Sequence, residues 1–121
     1  MDTGRCTLKY RRVSPRKARL IADLIRGKSV PEARAILTLS TKRVTVHFQK
    51  ALGAALASYK QKAGEAVEEE VLFISRVQVE QGPTWKLVLP AGKPMRFGGY
   101  NLIKRRTSHI TVEVSPREET E

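Results

Sequence analysis

The chain has 121 residues, with 23 Lys or Arg against 12 Asp or Glu, a formal net charge of +11 and 40% hydrophobic residues. That length fits one domain able to bury a core without staples, and the charge fits a protein that meets a polyanion while disfavouring a purely protein-binding adaptor. The lone Cys6 excludes an intramolecular disulfide, 6% aromatic residues argue against a binder of single strands built on stacking, and no stretch approaches the roughly 20 apolar residues of a membrane span.

Met1 to Cys6 holds no apolar run of signal-peptide length, so a soluble cytosolic protein is expected. Thr7 to Val13 reads as a short strand, with Lys9, Arg11 and Arg12 set between Leu8, Tyr10 and Val13. Ser14-Pro15 opens a first helix that runs to Arg26. Serine accepts a bond from an orphan N–H of the first turn, and proline at the next position loses no donor. Leu20, Ile21, Leu24 and Ile25 share the apolar face, while Arg16, Lys17 and Arg19 crowd the first turn. Cations oppose the positive end of a helix, so an external anion is expected to complete that cluster. Asp23 is expected to pair with a neighbouring arginine.

Gly27 suits the left-handed position past a helix end, and Ser29-Val30-Pro31-Glu32 has the capping-box pattern that opens a second helix to about Leu39. A third helix, from about Lys42 to near Gly64, repeats Val44, Phe48, Ala51, Leu52, Ala55, Leu56 and Tyr59 at helical spacing and is the expected spine of the core. Gly53 and its neighbouring alanines offer a small-residue face for close approach of another element. Glu65 to Glu70 lacks the spacing and turn glycine of a calcium loop, and is expected to be a solvated connection that binds no metal.

Val71 to Val79 is rich in β-branched residues and predicts a strand leading into a hairpin with arms Thr84–Leu89 and Tyr100–Arg106. Pro90, Gly92, Pro94, Gly98 and Gly99 gather at its tip, where turn chemistry belongs. Ser108 to Val114 alternates Ile110, Val112 and Val114 with His109, Thr111 and Glu113, the pattern of a half-buried strand. Between Gly82 and Thr107 stand Lys86, Lys93, Arg96, Lys104, Arg105 and Arg106 and no acid at all. Such a segment suits a bed of phosphates, because each cation that meets one releases counterions and a carboxylate would cancel the gain.

Three segments stand out together: Ser14-Pro15-Arg16-Lys17-Ala18-Arg19-Leu20-Ile21-Ala22-Asp23-Leu24-Ile25-Arg26-Gly27-Lys28-Ser29-Val30, then Gly82-Pro83-Thr84, then Lys104-Arg105-Arg106-Thr107-Ser108-His109-Ile110-Thr111-Val112. In order and separation they resemble the signature segments of the ribosomal protein L22 family of the large subunit, a resemblance that covers about Lys9 to Val114. It implies an α+β fold: three helices packed on a small antiparallel sheet, with a long protruding β-hairpin at about residues 82–107, forming a single RNA-binding domain over 1–121. It implies a structural constituent of the large ribosomal subunit that binds large-subunit ribosomal RNA during assembly, beside neighbouring large-subunit proteins. The hairpin is expected to line the nascent-peptide exit tunnel, with the nascent peptide near its tip. The expected location is cytoplasmic, in the large ribosomal subunit, with an organellar ribosome left open.

The family's RNA-binding positions fall here on Ser14, Arg16, Lys17, Arg19, Arg26 and Lys28, and at the hairpin base on Arg105, Arg106, Thr107, Ser108 and His109. Charge adds Lys9, Arg11 and Arg12 of the first strand and Lys86, Lys93, Arg96 and Lys104 of the hairpin. Guanidinium forks suit phosphate oxygens, and short hydroxyls suit a ribose. The tunnel-lining tip is expected at Pro90, Ala91, Gly92, Lys93, Pro94, Met95, Arg96 and Phe97. Here the chain departs from the family, because Ala91 and Gly92 follow Pro90 where relatives place arginine and Leu87 stands where a basic residue is common. The stretch through Asn101 is also a few residues longer, and Met95, Phe97 and Tyr100 are expected to substitute stacking or apolar contact for charge.

No catalytic residue, cofactor, small-molecule substrate or membrane partner is expected. Cys6, His47 and His109 lie on three different elements, and nothing in the sequence lowers the thiol pKa. A DNA-binding regulator is disfavoured because the helix from Pro31 to Leu39 carries only Arg34 and Glu32 as charges and has no Asn or Gln to read base edges.

Overall fold

The computed structural model describes residues 3–63, 68–88 and 102–116. Strand β1 (Gly4–Arg11) is followed by three helices, α1 (Pro15–Ile25), α2 (Val30–Leu39) and α3 (Thr45–Ala63), and a short 3-10 turn (Glu69–Val71). Then come β2 (Leu72–Gln81), β3 (Trp85–Val88), β4 (Leu102–Arg105) and β5 (Ser108–Pro116). β5 is the centre of a three-stranded antiparallel sheet in the order β1-β5-β2, while β3 and β4 pair as a separate antiparallel hairpin. This is the expected α+β arrangement of three helices on a small antiparallel sheet with a hairpin.

The core lies between the sheet and the helices. Ile110, Val112 and Val114 of β5 are buried against Phe48, Leu52 and Leu56 in the same apolar cluster. α3 packs across β1 and β5, and α1 packs on β2. Every α3 position expected in the core is buried. The close approach of another element falls at a different place from the one expected. Gly53 is exposed with open space around it, whereas Gly4 of β1 lies so close to α3 that a β-carbon there would run into the Ala55 carbonyl and Tyr59.

α1 turns a different face inward from the one its leucines suggest. Ala18, Ile21, Ala22 and Ile25 are buried, while Leu20 and Leu24 remain 53% and 51% exposed. The 3.6-residue period admits either stripe, and the one carrying two alanines lets the helix sit closer to β2. Past its end, Gly27 adopts φ +77°, the left-handed region where a side chain is strained. Its N–H donates to the Ile74 carbonyl at 3.2 Å, and the Ile74 N–H donates to the Lys28 carbonyl at 2.9 Å, so the turn is fastened to β2.

β1 begins and ends earlier than the expected Thr7 to Val13, and its pairing with β5 is interrupted by a bulge between Leu8 and Arg11. Tyr10, inside that bulge, has φ +59°. The acidic connection is also more than solvated: the Glu69 carboxylate meets the Arg34 guanidinium at 2.7 Å and the Lys60 ammonium at 3.4 Å, joining α2 and α3 to the turn before β2.

Candidate nucleic-acid interface

Ser14 occupies the N-cap of α1 and Pro15 follows it, as expected, but the Ser14 hydroxyl makes no capping bond, and neither does that of Ser29 at α2. The orphan N–H groups of the first turn of α1 are therefore not claimed by a side-chain cap, and that turn contains no acid. Arg16, Lys17 and Arg19 are all exposed beside it. α3 also starts without an acid in its first turn, just after Lys42, Arg43 and Val44. The two helix starts face a shared groove of about 750 Å³ lined by Arg12, Ser14, Lys17, Lys42, Arg43 and His47 among others, with no carboxylate among the described residues.

Lys42 and Arg43 escape the sequence reading, and His47 enters it only as a rejected catalytic candidate, although the acid-free start of α3 is a signal of the same kind as that of α1. Burial, and then the positive charges of Arg11 and Lys50, hold the His47 pKa below its ordinary value of 6.5. Its Nδ1 is buried and has no partner among the described residues.

The second cationic region is the hairpin root. The Gly82 N–H donates to the Thr107 carbonyl at 2.9 Å, and the Thr107 hydroxyl donates to the Pro83 carbonyl at 2.7 Å. The Ser108 hydroxyl donates to the Val13 carbonyl at 2.7 Å. Thr107 and Ser108 are both buried. These hydroxyls hold the root of the hairpin together, which is a structural task rather than the solvent-facing one a ribose contact requires. Above them, Trp85 pairs with Arg105 and Lys86 with Lys104 across the two arms. Like charges directly opposite each other on a two-stranded sheet repel, and both lysines are exposed, so an anion between them would relieve the pair.

His109 turns toward the bulge. Its Nδ1 accepts the Tyr10 N–H at 3.1 Å, and the two rings meet edge to face with centroids 4.9 Å apart. Tyr10, Arg12, Trp85, Lys86, Arg105 and Thr107 line a groove of about 480 Å³, again without a carboxylate among the described residues. Arg12 lines both grooves and makes them one surface.

The remaining expected residues divide. Lys9, Lys28 and Arg106 are exposed cations. Arg26 is engaged within the protein, its guanidinium meeting Asp23 at 2.6 Å and donating to the Val77 carbonyl at 2.9 Å. Arg19 points to the Val79 carbonyl at 3.5 Å, in a groove that Arg26 shares with Asp23 and Glu80, where the mixed charge makes a poor seat for phosphate. Arg11 is half-buried, its Nε without a partner among the described residues. Lys93, Arg96 and the tip Pro90, Ala91, Gly92, Pro94, Met95 and Phe97 lie outside the described residues. Burial raises the Cys6 thiol pKa, the opposite of what a nucleophile needs. Among the described residues no cluster of His, Cys, Asp or Glu could hold a metal ion, and no helix is long and apolar enough to cross a membrane.

Residues 6–115 match the family model described as ribosomal protein L22p/L17e. The chain is 42% identical over 111 residues to the large ribosomal subunit protein uL22 of Desulforamulus reducens, a match that covers 92% of this chain and 93% of that protein. It is 41% identical over 116 residues to uL22 of Halothermothrix orenii, covering 96% and 97%, and 41% identical over 114 residues to uL22 of Rubrobacter xylanophilus, covering 94% and 85%.

Proposed function

The chain belongs to the ribosomal protein L22p/L17e family, a structural constituent of the large subunit of the cytoplasmic ribosome and not an enzyme, and on that premise we propose that it binds large-subunit ribosomal RNA through the cationic face centred on Arg12. The supporting observation is the continuity of that face. Arg12 joins the groove at the starts of α1 and α3 to the groove at the hairpin root, and among the described residues neither contains a carboxylate. Phosphates seated there would turn three unfavourable features into favourable ones: cations crowding the start of α1, cations preceding α3, and Lys86 facing Lys104. Arg12, Lys17, Lys42 and Arg43 then hold one stretch of RNA backbone, and Lys86, Lys104, Arg105 and Arg106 hold the next.

In the same reading the hairpin reaches into the subunit, where its tip lines the exit tunnel near the nascent peptide. Family membership supports this, together with the absence of any Asp or Glu between Gly82 and Thr107. Competition tests the RNA part: with labelled large-subunit ribosomal RNA bound, unlabelled RNA of the same sequence displaces it, whereas duplex DNA at equal phosphate concentration does so far less well. Equal displacement by DNA contradicts the proposal. For the tunnel part, a photo-crosslinker at position 93 in assembled ribosomes captures nascent chains, and its failure to do so while position 93 sits in the subunit contradicts the placement.

A further inference from the structure

Two of the most exposed large apolar side chains stand on one groove. Trp85 is 67% exposed and Tyr10 is 64% exposed, and both line the groove at the hairpin root with Arg12, Lys86 and Arg105. Exposed aromatic surface is unfavourable in water, and the protein keeps Tyr10 there at a further cost. The residue is bulky and L-configured, yet it adopts φ +59° inside a bulge, a conformation fixed by its N–H bond to His109 Nδ1 and by the edge-to-face contact of the rings. A bulge that aims one side chain away from the ladder is a device commonly found beside binding sites.

From this placement we infer that the groove takes one unpaired nucleobase of the bound RNA, stacked on the aromatic wall formed by Trp85 and Tyr10, with the flanking phosphates on Arg12, Lys86 and Arg105. The inference rests on the ribosomal-RNA reading and adds to it a site for an extruded base. The groove volume of about 480 Å³ lies within the range of clefts that take small ring systems. Charge decides between an RNA base and an apolar side chain of a neighbouring protein. The latter would cover three cations and desolvate them without partners, whereas a nucleotide brings its own anions. A paired, stacked base offers no free ring face, so the occupant is unpaired. The low aromatic content excludes stacking as the main source of affinity and leaves room for one such site.

Trp85 is the only tryptophan, so its emission reports on this groove alone. The full chain is titrated with two RNA hairpins that share one stem, the first fully paired and the second carrying a single bulged adenine. The bulged hairpin binds about tenfold more tightly and quenches Trp85 emission, because base stacking on an aromatic ring tolerates any base. Trp85→Leu brings the ratio of the two affinities close to one, while Trp85→Phe keeps most of it; the side chain is exposed, so neither substitution removes core packing. If both hairpins bind with equal affinity and leave emission unchanged, the base site is wrong while RNA binding stands. If neither hairpin binds, the RNA reading falls with it.

Discussion

The Ser108 hydroxyl, at the first residue of β5, donates to the carbonyl of Val13, in the connection between β1 and α1, at 2.7 Å. One partly buried bond thus ties the central strand of the sheet to the chain segment that carries Arg12 and Ser14. The cationic face is assembled around that link.

Ser108→Ala removes the donor and leaves a partly buried carbonyl without its partner, so the free protein loses about 1 kcal/mol of stability in chemical denaturation. The folded fraction keeps its RNA affinity within about twofold, because the hydroxyl faces inward. A large loss of RNA affinity with unchanged stability would make Ser108 an RNA contact after all.

Gly4→Ala places a methyl group against the backbone of α3, which has no flexible side chain to move aside. The expected loss is near the upper end of the usual overpacking cost, about 3 kcal/mol. Gly53→Ala, where nothing lies nearby, instead raises helix stability by up to about 1 kcal/mol. Thermal denaturation of the pair checks both directions.

Much of this was legible in the sequence. Val44, just before α3, and Phe48, Ala51, Leu52, Ala55, Leu56 and Tyr59 within it recur at a spacing that fits no strand, and Ile110, Val112 and Val114 alternate as an inward face must. What escaped was whatever the chain brings together from afar. Nothing local says that Tyr10 sits in a left-handed bulge, since tyrosine is not a residue that favours one. Glu69 finds partners 35 and 9 residues away in sequence. The run from Lys104 to His109 reads as one basic patch, yet burial begins at Thr107 because the strand enters the sheet there. Arg26 matches an RNA-binding position of the family, yet Asp23, expected to pair with a neighbouring arginine, and the Val77 carbonyl of β2 engage it within the protein.

At the start of α1 the Ser14 hydroxyl caps nothing, so Ser14→Ala costs less than about 0.5 kcal/mol. Arg16→Ala and Lys17→Ala leave the melting temperature of the free protein unchanged or slightly raised, because each removes a cation from the positive end of a helix. Both weaken RNA binding. A fall in melting temperature for both would mean that they stabilise the fold rather than await an anion.

His47 gives the free protein a pH dependence. Its pKa is lowered in the fold, so as pH falls through 6.5 the unfolded chain takes up a proton that the folded chain resists. Stability is complete above that value and is lost progressively between it and the lower folded pKa. Arg11 and Lys50 oppose the charged imidazole, and Arg12, Lys17, Lys42 and Arg43 share its groove. RNA phosphate seated in that groove favours the protonated ring, so RNA affinity strengthens as pH falls below about 6.5. His47→Gln removes both trends in denaturation and binding titrations; persistence of either assigns it to another group.

The salt dependence of binding tests most directly whether the cationic face, which has no carboxylate among its described residues, holds ribosomal RNA by its phosphates. With about five or more phosphates engaged, log K for a large-subunit RNA fragment falls against log salt with a slope steeper than about −3.5, and Arg105→Ala makes the slope shallower by about one unit. A slope near zero, or one that Arg105→Ala and Lys42→Ala leave unchanged, would contradict the account.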